Sequence, residues 1–533
     1  SSFLPGFFIN RPTTLQAVPR LFNPQFDLRT LYIVEAWDKD FIIFNHAQPI
    51  RQTPILPPEL GDSISYPSSG VWFAHTFGRL APGAELLESK PELFALINGS
   101  RCAGNCCLTN PETIRIVAEN ALYFLSRFPE ARMFGISQND GNNVICECDE
   151  CKAVAEAESS QSGPLLHFVN AVAKIVLSSR PDVRISTLAY QQTFLPPKTI
   201  RPADGVVIFL ATDQHTWSNP YHFVNETEKF RSALTEWSKV ALDIHIWEYT
   251  CADYSNWLIP FPNFDVIAEN IRIFGKTPGV TGIFLQDNYK SIGSSRAAMK
   301  NWIFTQLLWN PRLKLRTLEK DFCLGYYGAA GEAMLEYTQL LHQFWKSYHE
   351  KTAPDTKPLK LDLEFYRKAD AALNCALKAV REDAILSKEV MRERLCLDYL
   401  RQTLGNEAFP DSKTRLEAIE ALKDLSAELG VESYGEWGNS ANQLMRWRMD
   451  ATIGSQKPLF AGAYVFGPDK AGLDARCGEG NASLVSDDSF PSVFAIEQPT
   501  GNSAWSIQWP VSPKEVKSGT YSIRLLLKSD TIT

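Results

Sequence analysis

Apolar and β-branched residues gather in short runs along the first 290 residues, separated by stretches with helical spacing. The runs at 31–36 (LYIVEA), 71–77 (VWFAHTF), 92–98 (ELFALIN), 132–139 (RMFGISQN), 183–190 (VRISTLAY), 205–212 (GVVIFLAT), 241–248 (ALDIHIWE) and 279–286 (GVTGIFLQ) predict eight strands. Several are nearly unbroken apolar runs, as expected for parallel strands buried on both faces. Leu166, Val169, Ala173, Val176 and Leu177 share one face at 3.6-residue spacing behind Pro164, which predicts a helix between two strands. Eight strands alternating with helices predict an α/β fold, a (β/α)8 TIM-type barrel. A doubly wound open sheet is the alternative, but no Gly-rich phosphate loop follows any strand.

Beyond residue 300 the pattern turns helical. Met334, Tyr337, Leu340, Leu341 and Phe344 form one stripe, and Tyr366, Ala369, Leu373, Leu377 and Val380 another. Such stripes are core-facing positions. After Pro458 short β runs return between Gly, Ser and Asp turns, for example Tyr521 to Leu527, which predicts a small C-terminal β-sandwich. The expected organisation is an N-terminal extension (1–29), a catalytic barrel (30–300), a helical region packed on it (301–456) and a β-rich domain (457–533).

Length and charge narrow the classes. At 533 residues the chain exceeds what one core usually supports. Its 44% hydrophobic and 21% charged residues are those of a globular protein. A net charge of −8 argues against a nucleic-acid partner. No apolar run of about 18 residues is present, so no membrane span is expected. The chain opens on a Pro-rich segment and reads as mature or trimmed.

Eleven cysteines include two clusters: Cys102, Cys106 and Cys107, then Cys146, Cys148 and Cys151. The second could hold zinc if Cys107 or another residue closed a tetrahedron. Buried free thiols and one or two loop-pinning disulfides are the other readings. The expectation taken forward is a structural disulfide with no stoichiometric zinc.

In a barrel the chemistry collects at the carboxyl ends of the strands. Those ends offer carboxylates, amides and aromatics, with no G-x-S-x-G elbow and no H-E-x-x-H motif. This inventory suits glycoside hydrolysis, in which a neutral carboxylic acid protonates the leaving oxygen. Asn139-Asp140, closing an apolar run ahead of a polar loop, is the sharpest pair: Asn139 as the group holding a 2-acetamido substituent, Asp140 as acid then base. Capping of the following loop is the competing explanation. Glu248, between Trp247 and Tyr249, is the other candidate acid, because a ring against a carboxyl raises its pKa by desolvation. His75, Gln138, Tyr190, Trp217, Trp247, Tyr249, Gln286, Asp287, Asn288 and Tyr289 are the expected substrate-binding residues.

The segments FALING (94–99), CLTNPE (107–112), SQNDGNN (137–143) with C-x-C-x-x-C (146–151), GPLLHFVNAVA (163–173), TLAYQ (187–191), IWEY (246–249), PFPNF (260–264) and GYYG (325–328) follow in order. Over roughly residues 30 to 345 the chain resembles the bacterial domain of unknown function 4838, grouped as glycoside hydrolase family 163. The resemblance implies a retaining, acetamido-assisted endo-β-N-acetylglucosaminidase that cuts the GlcNAc-β1,4-GlcNAc core of complex N-glycans. It also implies glycan-foraging gut Bacteroidetes as the source, a glycoprotein substrate, no metal or organic cofactor, a monomer, and export to the cell surface or periplasm of a Gram-negative bacterium. Carried over by position, it supports Asn139 and Asp140 and brings in Glu248. One departure stands out: family members end the last strand Phe-Glu-Gln-Gly-Asn-Tyr, whereas 284–289 reads FLQDNY, so a carboxylate has moved two places and either Asp287 does its work or the subsite differs. A non-catalytic glycan-binding protein, an exo-hexosaminidase and a uronic-acid-releasing glycosidase are the alternatives.

Overall fold

The computed structural model describes residues 23–48, 65–67, 72–141, 144–212, 228–251, 254, 256–351, 363–436, 440–453, 481–487 and 490–497. Six strands form one parallel, curled sheet, a half-barrel. They are β1 (Leu28–Tyr32), β4 (Met133–Gly135), β5 (Arg184–Ala189), β6 (Val206–Ala211), β7 (Ile244–Tyr249) and β8 (Val280–Gln286), in the order β1-β8-β7-β6-β5-β4. Leu31 pairs with Leu285, Trp247 with Phe284 and Leu188 with Phe209, so the long apolar runs sit side by side. Every residue of β6 is buried, as its sequence VVIFLA demands of a strand covered on both faces. Helices Pro111–Arg127, Ser162–Ser179, Glu228–Val240, Phe264–Phe274 and Ala297–Trp309 supply the apolar cover. The predicted stripe of Leu166, Val169, Ala173 and Val176 is buried in the second of them.

Two of the eight expected strands do not join this sheet among the described residues. The run at 92–98 becomes β2 (Phe94–Ile97), which folds back antiparallel on β3 (Ser100–Cys106). Asn98 (φ 50°) and Gly99 (φ 78°) make the turn, both in the left-handed region that Asn-Gly hairpins require. The run at 71–77 is not a strand. Trp72 accepts a hydrogen bond from the Gly135 N–H (2.6 Å) and Phe77 N–H reaches the Ser137 carbonyl (3.1 Å), but between them His75 turns to φ +52° and the chain enters the short helix Phe77–Leu80. The segment lies against the β4 edge without a ladder. Its Phe73 ring fills the mouth of the curl, 5.4 Å from Tyr32, 5.6 Å from Trp247 and 5.5 Å from Phe284. Gly135 permits that approach, since a Cβ there would meet the Trp72 carbonyl oxygen at 2.6 Å.

The chain divides into two compact units. The first comprises residues 1–403 and 424–440, so the sheet and the helices to Thr403 form one body. Within it Met334, Tyr337 and Leu341 are buried, and Phe344 stacks on Phe365 at 4.2 Å. The second unit comprises residues 404–423 and 441–533. There the buried Arg415 pairs with Asp450 and bonds Asn406 at 2.7 Å. Strands β9 (Asn481–Asp487) and β10 (Phe490–Glu497) pair antiparallel. The remainder of the expected sandwich, including Tyr521 to Leu527, lies outside the described residues.

The expected disulfide is absent among the described cysteines, all of which are free. The sulfurs of Cys107 and Cys148, for example, stand 3.7 Å apart, whereas a disulfide needs about 2.0 Å.

Candidate active site

At the carboxyl ends of the six strands a cleft of about 590 Å³ opens. Its floor and walls are aromatic: Tyr32 from β1, Phe73, Tyr190 after β5, Trp247 and Tyr249 from β7, and Tyr289 after β8. Its polar groups are His75, Arg79, Asp140, Gln286 and Glu436. Few polar groups converging on an apolar cavity is the usual form of a small-molecule or saccharide site.

Asp140 is exposed to the cleft. One carboxylate oxygen accepts hydrogen bonds from the Tyr190 hydroxyl (3.2 Å) and from the Gly141 N–H (2.9 Å). The Gln191 amide donates to that hydroxyl at 2.9 Å, which orients it. His75 sets its ring edge-on to Tyr190 at 6.1 Å, with Nδ1 3.0 Å from the Gln138 carbonyl oxygen. On the opposite wall the Trp247 indole N–H donates to Gln286 at 2.7 Å. Tyr289 stacks on Tyr32 at 4.8 Å and its hydroxyl donates to the Glu436 carboxylate. Glu436 is further fixed by its own backbone, whose N–H reaches the Tyr254 carbonyl (2.5 Å) and whose carbonyl accepts from Lys290 Nζ (2.5 Å).

The cleft therefore gathers His75, Asp140, Tyr190, Trp247, Tyr249, Gln286 and Tyr289 from the sequence-predicted set. Five others are placed elsewhere. Asn139 Oδ1 accepts from the Gly78 N–H (2.9 Å), and Nδ2 donates to the Gly104 carbonyl (2.8 Å) and to Asn105 Oδ1 (2.9 Å). Its amide clips the β2–β3 hairpin to helix Phe77–Leu80, with both N–H donors engaged and one bond accepted at Oδ1. Gln138 is buried, donating to Thr193 Oγ1 at 2.8 Å. Glu248 alternates away from Trp247 and Tyr249 into the layer between sheet and helix Phe264–Phe274. There Thr212 Oγ1 (3.1 Å), the Tyr249 N–H (3.3 Å) and Asn270 Nδ2 (3.4 Å) donate to its carboxyl. Burial pushes its pKa up to about 7 against those three donors. The desolvation expected from the sequence is present, and among the described residues this carboxyl is not part of the cleft lining. Asp287 is fully buried in an ion pair with Lys300 (2.7 Å) and takes a bond from Thr250 Oγ1 (3.0 Å). Asn288 closes the turn after β8, accepting from the Lys290 (3.1 Å) and Ser291 (3.0 Å) N–H groups. Trp217 lies outside the described residues.

Arg79 and Glu436 are the polar cleft residues that sequence reasoning missed. Glu436 arrives from a segment far beyond β8; Trp437 beside it repeats the Trp–Glu neighbourhood of 247–248, but no apolar run ahead of it marks a strand end.

A sequence model described as "Domain of unknown function (DUF4838)" matches residues 10–339. No curated protein matches the chain in sequence. Among solved structures, a GH138 enzyme targeting pectin rhamnogalacturonan II aligns over 81% of this chain and 83% of its own, at 10% identity and a TM-score of 0.38. A family 89 glycoside hydrolase from Clostridium perfringens, in complex with 2-acetamido-1,2-dideoxynojirmycin, aligns over 70% of this chain and 42% of its own, at 11% identity and a TM-score of 0.40. A family GH115 4-O-methyl-alpha-glucuronidase with specificity for decorated arabinogalactans aligns over 70% of this chain and 52% of its own, at 12% identity and a TM-score of 0.35. Among the described residues no helix is long and apolar enough to cross a membrane.

Proposed function

The chain belongs to the DUF4838 family, and from its cleft we propose that it is a glycoside hydrolase. The observation that carries the reading is the pairing, in one aromatic-walled cleft at the carboxyl ends of parallel strands, of two carboxylates, Asp140 and Glu436. Pyranose faces stack on such rings, and a pair of carboxyl groups is the usual equipment for breaking a glycosidic bond. In this reading Asp140 is the acid that protonates the leaving oxygen and then the base that activates water. Tyr190 holds its carboxyl in place and adjusts as the proton moves.

The substrate we propose is the GlcNAc-β1,4-GlcNAc core of an N-glycan, acted on outside the cytoplasm, on the strength of the ordered motif resemblance. The acetamide of the bound sugar then serves as nucleophile, and a protein group must accept its N–H as positive charge spreads into the oxazolinium ring. Glu436, pinned by Tyr289, takes that role in place of Asn139. A carboxylate suits it, because a fixed negative charge stabilises the developing cation. Incubation with a galactosylated glycoprotein, followed by mass analysis, tests the function: release of glycans one GlcNAc shorter supports it. Binding without release would instead favour a glycan-binding protein.

A further inference from the structure

We propose that Cys107, Cys146, Cys148 and Cys151 bind one structural zinc ion as four thiolates. Their four sulfurs all lie within 4.8 Å of one another, and the four residues are 4%, 3%, 5% and 0% exposed. Zinc holds thiolates at about 2.3 Å, which sets sulfur–sulfur edges of about 3.8 Å in a regular tetrahedron. The Cys107–Cys148 separation is 3.7 Å. Four free sulfurs gathered within 4.8 Å, one pair of them at the tetrahedral edge length, suit a shared metal.

The surroundings fit thiolates. The Leu96 N–H points at Cys146 Sγ from 3.3 Å, and the backbone N–H groups of Thr109 and Cys148 face Cys107 and Cys146, each two residues on from the sulfur it serves. Thr109 Oγ1 stands 3.3 Å from Cys151 Sγ. Cys148 is the N-cap of helix Asp149–Glu158 and Cys151 lies in its first turn, so the positive end of the helix dipole also faces the cluster. Binding of zinc releases the four thiol protons to solvent and leaves the site at a net charge of −2, which these donors partly offset. A soft tetrahedral sulfur set selects zinc or iron, and a site with no open ligand position is structural.

The position gives the ion a purpose. Cys107 follows β3 immediately, whereas the other three close the loop that begins at Asp140. Zinc would tie the β2–β3 hairpin to that loop, alongside the Glu147 N–H bond to the Leu96 carbonyl (2.7 Å). The inference does not depend on the reaction proposed above.

Elemental analysis of the full chain, purified without added metal or chelator, tests it. One zinc per chain is expected, displaced by a strong chelator with four newly reactive thiols. Cobalt(II) replacement should give the intense visible bands of a tetrahedral thiolate site. Cys148→Ser and Cys151→Ser should lose the ion, whereas Cys106→Ser, buried nearby but outside the quartet, and the exposed Cys375→Ser should keep it. Should the first two variants fail to fold, the chelation and cobalt measurements on the unaltered chain decide. Metal-free protein with four reactive thiols, a disulfide within the quartet, or stoichiometric iron would overturn the assignment.

Discussion

At the end of β7 the side chains alternate: Trp247 and Tyr249 face the cleft and Glu248 does not. The same period of two puts Gln286 in the cleft and Asp287 out of it. The aromatic face and its neighbouring carboxylate point opposite ways along a strand, a parity that the sequence reading of Glu248 and Asp287 did not use. The place of Asp140 in the cleft was legible for a different reason, since it closes the segment that runs on from an apolar strand. That of Glu436 was not, because a cleft residue recruited from a distant segment carries no strand-end pattern. Three substitutions separate these roles. Asp140→Asn should lower kcat by about 10²–10⁴, recovering on substrates with activated leaving groups that need no proton. Glu436→Gln should also lower kcat, but without that recovery, and should weaken a thiazoline mimic of the oxazolinium ring more than it weakens product. Glu248→Gln should leave kcat within about threefold, under 1 kcal/mol of barrier. A loss of several powers of ten there would return Glu248 to the mechanism. Trapping of Glu436 by a fluorinated sugar, with no thiazoline inhibition, would make it a covalent nucleophile instead.

At the scale of elements, apolar runs report burial more faithfully than backbone shape. β5 to β8 were legible because their runs are both apolar and bounded by turns. Residues 72–77 are as apolar, but they serve as an irregular filler whose Phe73 plugs the curl, and periodicity cannot distinguish that from a strand. The hairpin at 94–106 did carry a sign, Asn98-Gly99, which overrides a crossover reading of the run before it. Asn139 belongs to this scale as well. Its three hydrogen bonds join helix Phe77–Leu80, which carries the cleft residue Arg79, to the hairpin. Asn139→Ala should therefore cost about 0.5–1.5 kcal/mol in denaturant unfolding, the net worth of hydrogen bonds that are only partly buried. Its effect on thiazoline affinity should be no larger than on product affinity; selective loss of the thiazoline would restore the acetamide role. Asp287→Asn leaves Lys300 buried without its counter-charge and should cost about 3–5 kcal/mol, a loss that Lys300→Met in the same chain partly relieves.

For the molecule as a whole, buried ionisable groups set how stability varies with pH. Glu35 and Glu248 both have pKa values raised from 4.5 to about 7 by burial. Glu35 is itself half-buried, but its carboxyl is enclosed, with one oxygen accepting from the Gly293 N–H at 2.6 Å and the other unpartnered. Between pH 4.5 and about 7 the folded chain keeps two protons that the unfolded chain has released, so stability falls as pH rises through that window. His245 acts in the opposite sense. It is buried between Asp243 and Gly282, and its pKa is lowered from 6.5 to about 4, so its contribution grows as pH rises over that range. Of these three groups the two carboxyls outweigh the imidazole where the windows overlap, and above pH 6.5 only the carboxyls act. Glu393 and Asp398, also raised by burial, act in the carboxyls' sense, and His46, lowered by burial, in the imidazole's. At 1.36 kcal/mol per pKa unit, each carboxyl costs at most about 3 kcal/mol once ionised. Thermal unfolding should therefore be highest near pH 5 and some degrees lower at pH 8, measured by calorimetry at constant ionic strength. The double substitution Glu35→Gln with Glu248→Gln removes both titrations while keeping the hydrogen bonds that an amide oxygen can accept. It should flatten the profile between those pH values and raise Tm at pH 8 relative to the unaltered chain. A Tm that climbs from pH 5 to pH 8, or a double variant with an unchanged slope, would show that neither carboxyl is carried neutral in the folded protein.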